Sequence, residues 1–172
     1  MAHFDIIQAF SPRKIKSLNE KQELTEVVIA GQISQLQQEG KWPNFQLTDA
    51  TGSITVTTNK DTKYFGTAAL LDGMVVVIHG RLEEGRMKAE IIINMAPIDE
   101  AKSTHQNFIV ACVDDGMEVI IQEFQTRYPG NGNLLLLQLN KKEVKLVEGI
   151  LADLVAALYL RKIHHLEAHL IK

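Results

Sequence analysis

The fold of this 172-residue chain is decided by one stretch, Asn44-Phe45-Gln46-Leu47-Thr48-Asp49-Ala50-Thr51-Gly52-Ser53-Ile54-Thr55-Val56-Thr57. Apolar residues alternate with polar ones on both sides of a segment, residues 49–52, that has the composition of a turn. An apolar residue at every second position is typical of a strand with one buried and one solvated face. The stretch therefore predicts an antiparallel hairpin with a polar outer face.

Outward from the hairpin, four more elements are predicted: strands at 26–33, 74–82 and 86–95, and a helix at 60–71. Gly31 lies inside the first of these strands, where a missing side chain permits a sharp bend or a close backbone approach. Glu83-Glu84-Gly85 is predicted to be the hairpin turn between the last two strands. Five strands with a helix between the third and fourth is the element order of an OB fold. We expect a five-stranded OB-fold β-barrel at residues 24–98.

The rest of the chain is divided around this barrel. Residues 1–23 are predicted to form a lead-in helix that starts at Ser11-Pro12, because Ser is a good N-cap and Pro suits the first helical position. Residues 99–106 are polar and are interpreted as a linker. Residues 107–172 are predicted to form a small β-α-β-β-α domain, so the fold class is α+β.

The elements expected in the tail domain are a strand at 107–113, a helix at 116–127, a break at 129–133, strands at 134–139 and 143–147, and a helix from 148 to 160 or beyond. Residues 159–172 keep apolar residues at helical spacing. This end is either a docking helix for a partner or a helix packed on its own domain.

Composition narrows the classes of function. The net charge of −3 excludes a generally basic nucleic-acid binder, so any phosphate-binding surface is local. A single cysteine, Cys112, allows no internal disulfide and is interpreted as a small buried filler. Neither a signal sequence nor an apolar run of about 20 residues is present, and we expect a cytoplasmic protein.

The sequence resembles the OB-fold nucleic-acid-binding family and, more narrowly, the C-terminal region of the bacterial DNA polymerase III alpha subunit. The residues that carry the resemblance are Val28–Ile33, Phe45–Ile54, Val76–Leu82, Arg127–Gly130 and Leu134–Leu139. It implies a barrel that contacts single-stranded template and a tail, residues 107–172, that docks other replisome subunits. One departure is that Asn44 and Asn59 stand where relatives often place an aromatic residue.

OB folds bind ligands across strands two and three, flanked by the loops after strands one and four. This geometry selects the candidate nucleic-acid-binding residues: Lys41, Trp42, Asn44, Gln46, Thr55, Thr57, Arg81, Arg86 and Lys88. Trp42 either stacks on a base or covers the end of the barrel. The cations either contact phosphates or are ordinary solvated surface, and the same alternatives hold for Arg13, Lys14 and Lys16.

Residues 24–96 hold six Lys or Arg against eight Asp or Glu, so we expect weak, salt-sensitive binding.

An acidic pair and a group of histidines are the two possible metal sites in the sequence. Asp114 and Asp115 are predicted to cap the following helix rather than to bind magnesium. His165 and His169, with His164 nearby, would share a helix face, but no third zinc ligand stands at a fixed spacing. We therefore expect no metal site, no cofactor and no enzymatic activity in this chain.

Three functions are consistent with these residues. The first is binding of single-stranded DNA, without catalysis, by an OB-fold module of a replicative polymerase alpha subunit, as a fragment or a free-standing relative. The second is a replisome adaptor that binds proteins and no nucleic acid, which the acidic balance and the missing aromatics favour. The third is RNA binding, because anticodon-binding OB domains share the hairpin pattern.

Overall fold

A computed structural model describes Ile7 and residues 10–18, 23–104 and 107–171. It divides into two compact units, one of residues 10–97 and one that contains Ile7 and the described residues from 98 onward. The parts of the predicted lead-in helix at 1–6, 8–9 and 19–22, and the end of the predicted linker at 105–106, lie outside the described residues. No helix in the described ranges is long and apolar enough to cross a membrane.

The first unit is built on one sheet. Its strands are β1 (Leu24–Gln37), β2 (Asn44–Thr48), β3 (Ser53–Thr57), β4 (Lys63–Phe65), β5 (Val75–Glu83) and β6 (Arg86–Asn94). They lie in the order β3-β2-β1-β5-β6-β4, and β3 also pairs in parallel with β6. This last pairing completes a circle of hydrogen-bonded strands, β1-β2-β3-β6-β5, with β4 attached outside it.

Side chains from alternate positions of these strands form the core of the first unit. The buried residues include Val27, Ile29, Ile33, Phe45, Leu47, Ile54, Val56, Val76, Ile78, Leu82, Met87 and Ala89. Each large apolar side chain removed from water contributes about 1.5–3 kcal/mol, so this cluster is the main stabilising feature of the circle. The predicted hairpin of β2 and β3 is confirmed, with Phe45 paired to Val56 and Leu47 to Ile54.

Two glycines let the strands of the circle approach one another closely. A Cβ on Gly31 would stand 2.3 Å from the carbonyl oxygen of Thr48, and one on Gly80 would stand 2.1 Å from that of Lys88. Backbone atoms cannot yield as a flexible side chain can, so neither position has room for a methyl group. The close approach predicted for Gly31 is confirmed.

The helix predicted at 60–71 is wrong. That segment is a series of turns around the short strand β4, which pairs in parallel with β6. Thr62 holds it by donating its hydroxyl to the carbonyl of Ala89 at 2.8 Å. Its apolar residues do not form a buried stripe, since Leu70 is buried but Leu71 is 61% exposed. The helical spacing was therefore coincidental.

No α-helix begins at Ser11-Pro12. Ser11 has a left-handed backbone (φ 51°), and a single 3-10 turn follows at Ile15–Ser17. Ile15 is nevertheless buried and joins the core of the first unit. Residues 11–18 are thus irregular apart from this turn, and Leu18 packs against the same core as Ile15.

The segment predicted to be a linker is helical over most of its length, because helix α1 occupies Met95–Thr104. The Asn94 side chain accepts a hydrogen bond from the N–H of Ala96 at 3.3 Å, as an N-cap does. Pro97 lies in the first turn, where its missing N–H costs nothing. These local signals start a helix directly after β6.

The second unit has a four-stranded sheet and two further helices. Its elements are β7 (Phe108–Cys112), α2 (Met117–Arg127), β8 (Pro129–Gln138), β9 (Glu143–Ile150), α3 (Leu154–Lys162) and β10 (Glu167–Ile171). The sheet order is β10-β7-β8-β9, with β7 and β8 parallel. Residues from α2 and α3, including Ile120, Phe124, Ala157 and Leu160, pack with Ile109, Leu134, Leu136 and Val147.

Two predictions for the tail are corrected. The break at 129–133 is the irregular start of β8, where a Cβ on Gly130 or Gly132 would meet residues 150–152 at 2.9 Å or less. The helix predicted for 159–172 ends at Lys162, and the chain then adds β10 to the sheet beside β7. Pairing with the open edge of β7 satisfies backbone groups that the sequence pattern alone does not reveal.

Candidate nucleic-acid interface

The outward side chains of β2 and β3 form a continuous polar surface. Phe45, Leu47, Ile54 and Val56 point into the core, so the residues between them point outward. We call this surface the polar face; it consists of Asn44, Gln46, Thr48, Ser53, Thr55 and Thr57.

The strand register extends the polar face into two cross-strand rows. In one row Asn44 lies opposite Thr57, Thr57 opposite Lys88, and Lys88 opposite Arg81. In the other, Gln46 lies opposite Thr55, and Thr55 opposite Arg86. The structure therefore brings together every candidate residue that was predicted on a strand.

Hydrogen bonds between strands order the middle of the polar face. The Gln46 amide donates to the Thr55 hydroxyl at 2.7 Å, and the Thr48 and Ser53 hydroxyls are 2.7 Å apart. Asn44 has no side-chain partner among the described residues. The face thus offers amide and hydroxyl groups with spare hydrogen-bonding capacity to a ligand.

Lys41 and Trp42 lie in the loop between β1 and β2. Trp42 is 42% exposed and is not among the residues of the core cluster. The Lys41 ammonium lies 5.8 Å from the centre of the indole ring, within cation–π range. The loop therefore presents a large aromatic surface beside a positive charge.

Two of the predicted phosphate contacts are already neutralised. Lys88 Nζ lies 2.6 Å from one Glu83 oxygen, and Arg81 Nη1 lies 3.2 Å from the other. Arg81 Nε is also 3.4 Å from Glu90. The hydrogen bond from Lys88 lowers the pKa of Glu83, so this carboxylate is charged at neutral pH. Arg86 makes no ion pair within the described ranges.

Asp49, at the end of β2, ties the turn of the hairpin to the lead-in. Its Oδ2 accepts the Ile15 N–H at 2.9 Å, while Oδ1 accepts the N–H and hydroxyl of Thr51 and the N–H of Gly52 at 2.6–3.0 Å. Partial burial raises the pKa of Asp49, but these hydrogen bonds outweigh it and hold the pKa below its ordinary value. The carboxylate is thus a fixed anion with its oxygens occupied.

A cleft of about 280 Å³ opens beside the polar face. Its lining includes Gln46, Ser53 and Thr55 of the polar face, together with Ile15 and Leu18. Gly85, the residue before Arg86, also lines it. The cleft is therefore continuous with the candidate interface.

Glu83 and Glu90 were not predicted as partners of the cations, and Asp49 was not predicted to anchor the lead-in. The two glutamates could have been predicted from the hairpin turn. A two-residue turn at Glu84-Gly85, both with positive φ, places Arg81, Glu83, Lys88 and Glu90 on one face of the β5–β6 hairpin. The bond between Ile15 and Asp49 joins residues 34 positions apart, so no local sequence pattern indicates it.

The acidic pair and the histidines of the second unit have ordinary structural surroundings. Helix α2 is preceded by Gly116 in a left-handed conformation without a side-chain cap, so the predicted capping by Asp114 and Asp115 is wrong. His165 and His169 do not share a helix, because His169 lies on β10. His164 contacts Glu123 and His169 contacts Glu167, each at 3.1 Å.

Cys112 is partly exposed at the end of β7. Burial, together with the charges of Glu167 and Asp114, raises the pKa of its thiol to about 11. It is therefore protonated at neutral pH, which fits the interpretation as a small filler rather than a reactive thiol.

Comparison with known proteins identifies the first unit. Residues 27–96 match the family model described as an OB-fold nucleic acid binding domain. No curated protein matches the chain. The match runs from β1 to the start of α1, so it covers the strand circle and the polar face.

Proposed function

We propose that the OB-fold nucleic-acid-binding domain at residues 27–96 binds single-stranded DNA across the polar face, without catalysing a reaction, as part of a replicative polymerase assembly. The observation that carries the proposal is the register of β2, β3 and β6. It aligns amides, hydroxyls and Arg86 in rows across adjacent strands of a domain whose family binds nucleic acid.

Each part of the surface has a distinct role in this proposal. Trp42 stacks on a base, a contact that tolerates any sequence because every base has a π-face. Asn44, Gln46 and Thr57 hydrogen-bond to base edges or sugars, and Arg86 contacts a phosphate. Because Glu83 and Glu90 together neutralise Lys88 and Arg81, few cations remain, and we expect micromolar or weaker affinity.

Fluorescence anisotropy with labelled single-stranded DNA, single-stranded RNA and duplex DNA, at two salt concentrations, tests the proposal. We expect binding to single-stranded DNA that weakens as salt rises. Trp42→Ala and Arg86→Ala should weaken it further, whereas Arg127→Ala, which removes an exposed arginine from the second unit, should not. Equal binding of all the variants would contradict the proposal.

The second unit is proposed to dock another subunit of the assembly. Its helices and the residue that follows α3 expose apolar side chains, with Val119 63%, Val155 72% and Ile163 61% exposed. We expect co-elution with a purified replicative polymerase subunit that is lost on Val119→Ser and Val155→Ser. Co-elution unaffected by these changes would assign docking to another surface.

A specific observation favours the adaptor as the second candidate. The ion pairs of Arg81 and Lys88 remove two of the cations that a phosphate backbone would use. No detectable binding of DNA or RNA at low salt would favour the adaptor, and a preference for RNA over DNA would favour an RNA-binding domain.

A further inference from the structure

The segment before β1, residues 13–18, is fastened to the hairpin that carries the polar face. We call it the clamped segment. Its backbone N–H groups donate at three successive points: Arg13 to the Val28 carbonyl at 2.8 Å, Ile15 to Asp49 at 2.9 Å, and Lys16 to the Thr51 hydroxyl at 3.0 Å. The Ile15 side chain is only 4% exposed and packs in the core. The clamped segment is therefore part of the folded unit, although it lies outside residues 27–96.

The side chains of the clamped segment that reach solvent are mainly cations. Arg13, Lys14 and Lys16 are exposed, and none makes an ion pair within the described ranges. Residues 10–18 contain no carboxylate. This contrasts with Arg81 and Lys88, whose charges are neutralised by glutamates.

The clamped segment and the polar face line the same cleft. Ile15 and Leu18 line it together with Gln46, Ser53 and Thr55. A nucleic-acid strand that crosses the polar face at Gln46 and Thr55 would pass directly beside the clamped segment.

We propose that the clamped segment is a second wall of the nucleic-acid interface, on which Arg13, Lys14 and Lys16 bind phosphates of the strand that crosses the polar face. This rests on the function proposed above. Fixing the backbone at three points removes conformational freedom before binding, so these cations lose less entropy than those of a loose terminus. The unpaired positive charges supply the electrostatic attraction that the β5–β6 hairpin lacks.

The first test compares two double variants by anisotropy with labelled single-stranded DNA. Lys14→Ala with Lys16→Ala removes two cations beside the cleft. Lys60→Ala with Lys63→Ala removes two exposed lysines near β4, which pairs with the far end of β6 at Ile91–Ile93. We expect the first pair alone to weaken binding by at least about tenfold and to reduce the salt slope by about 1.4, at about 0.7 per phosphate on single strands. Equal effects of the two pairs would overturn the proposal.

The second test separates geometry from net charge. Asp49→Asn places an amide where a carboxylate now accepts the Ile15 N–H, while the remaining oxygen continues to serve Thr51 and Gly52. Removing a negative charge should strengthen DNA binding if only overall electrostatics matters, whereas releasing the clamped segment should weaken it. Weaker binding by the folded variant supports the proposal, and equal or tighter binding contradicts it.

Thr51→Val is the companion variant if Asp49→Asn does not fold. It removes the acceptor for the Lys16 N–H without changing charge, and it should also weaken binding. If wild-type protein binds no single strand, the proposed function itself fails. If Trp42→Ala and Arg86→Ala weaken binding but the changes in and around the clamped segment do not, this inference fails alone.

Discussion

The carboxylate of Asp49 accepts the backbone N–H of Ile15 at 2.9 Å across 34 residues of sequence. This bond joins the turn of the central hairpin to a segment that precedes the whole sheet. It fixes the position of a buried isoleucine and of the lysines on either side of it. The same carboxylate orders its own turn, so it connects local and long-range structure.

The stability that Asp49 contributes depends on pH. Its pKa is lower in the folded state than the ordinary value of 3.8, so its contribution is fully present above that value and is lost as pH falls through the folded pKa. We expect Asp49→Asn to destabilise the protein by about 1–3 kcal/mol at pH 7. Urea unfolding of both proteins from pH 7 to pH 2.5 should show this difference shrinking below about pH 4. If the difference in the free energy of unfolding between the two proteins stayed constant over this pH range, the lowered pKa of Asp49 would be contradicted.

Glu83 should weaken nucleic-acid binding. Glu83→Gln removes the charge that pairs with Lys88 and one of the two that pair with Arg81, and we expect affinity for single-stranded DNA to rise about two- to fivefold, as for an exposed ion pair. Glu84→Gln makes the same charge change in the adjacent turn, where no ion pair is described, and should have a smaller effect. Anisotropy titrations at two salt concentrations measure both variants. If both variants gained the same affinity for DNA, net charge alone would explain the increase, and the ion pairs of Glu83 would not.

Gly31 should be intolerant of a side chain. Gly31→Ala forces a methyl group against the Thr48 carbonyl, and we expect a loss of about 2 kcal/mol or more in the free energy of unfolding. Gly52→Ala is the matched control, because its Cβ would meet nothing closer than 3.9 Å. Thermal unfolding followed by circular dichroism should separate the two variants. Similar melting temperatures would show that the strands around Gly31 are farther apart than described.

Cys112 should react slowly while the protein is folded. With a pKa of about 11, about one thiol in a thousand is ionised at pH 8, and the thiolate is the reactive form. We expect iodoacetamide to modify Cys112 much faster in urea than in buffer, as measured by mass spectrometry. Equal rates would place the thiol in open solvent.

Local patterns were enough to predict the hairpins. The alternation at Phe45, Leu47, Ile54 and Val56 predicted β2 and β3, because side chains of a strand alternate between two faces. The turn at Glu84-Gly85 followed from the preference of glycine for positive φ. These predictions needed no knowledge of distant residues.

Helices predicted from the spacing of apolar residues were wrong in two segments that pair with a strand instead. Residues 60–71 have helical spacing, but β6 offers β4 a parallel edge and Thr62 a carbonyl to bind. Residues 167–171 likewise pair with the edge of β7 instead of extending α3. In both segments hydrogen bonds to a distant strand outweigh local propensity.

The polar face was therefore readable from the sequence, since alternation and turn chemistry act over a few neighbouring residues. The ion pairs of the β5–β6 hairpin could have been predicted in the same way, whereas the anchoring of the clamped segment by Asp49 could not. Lys88 is neutralised by Glu83 and Arg81 by two glutamates, whereas Lys14 and Lys16 flank a residue anchored by Asp49. The bond between Ile15 and Asp49 forms only when folding brings two segments, 34 residues apart in sequence, to within about 3 Å of each other, and spacing along the chain carries no information about such a contact.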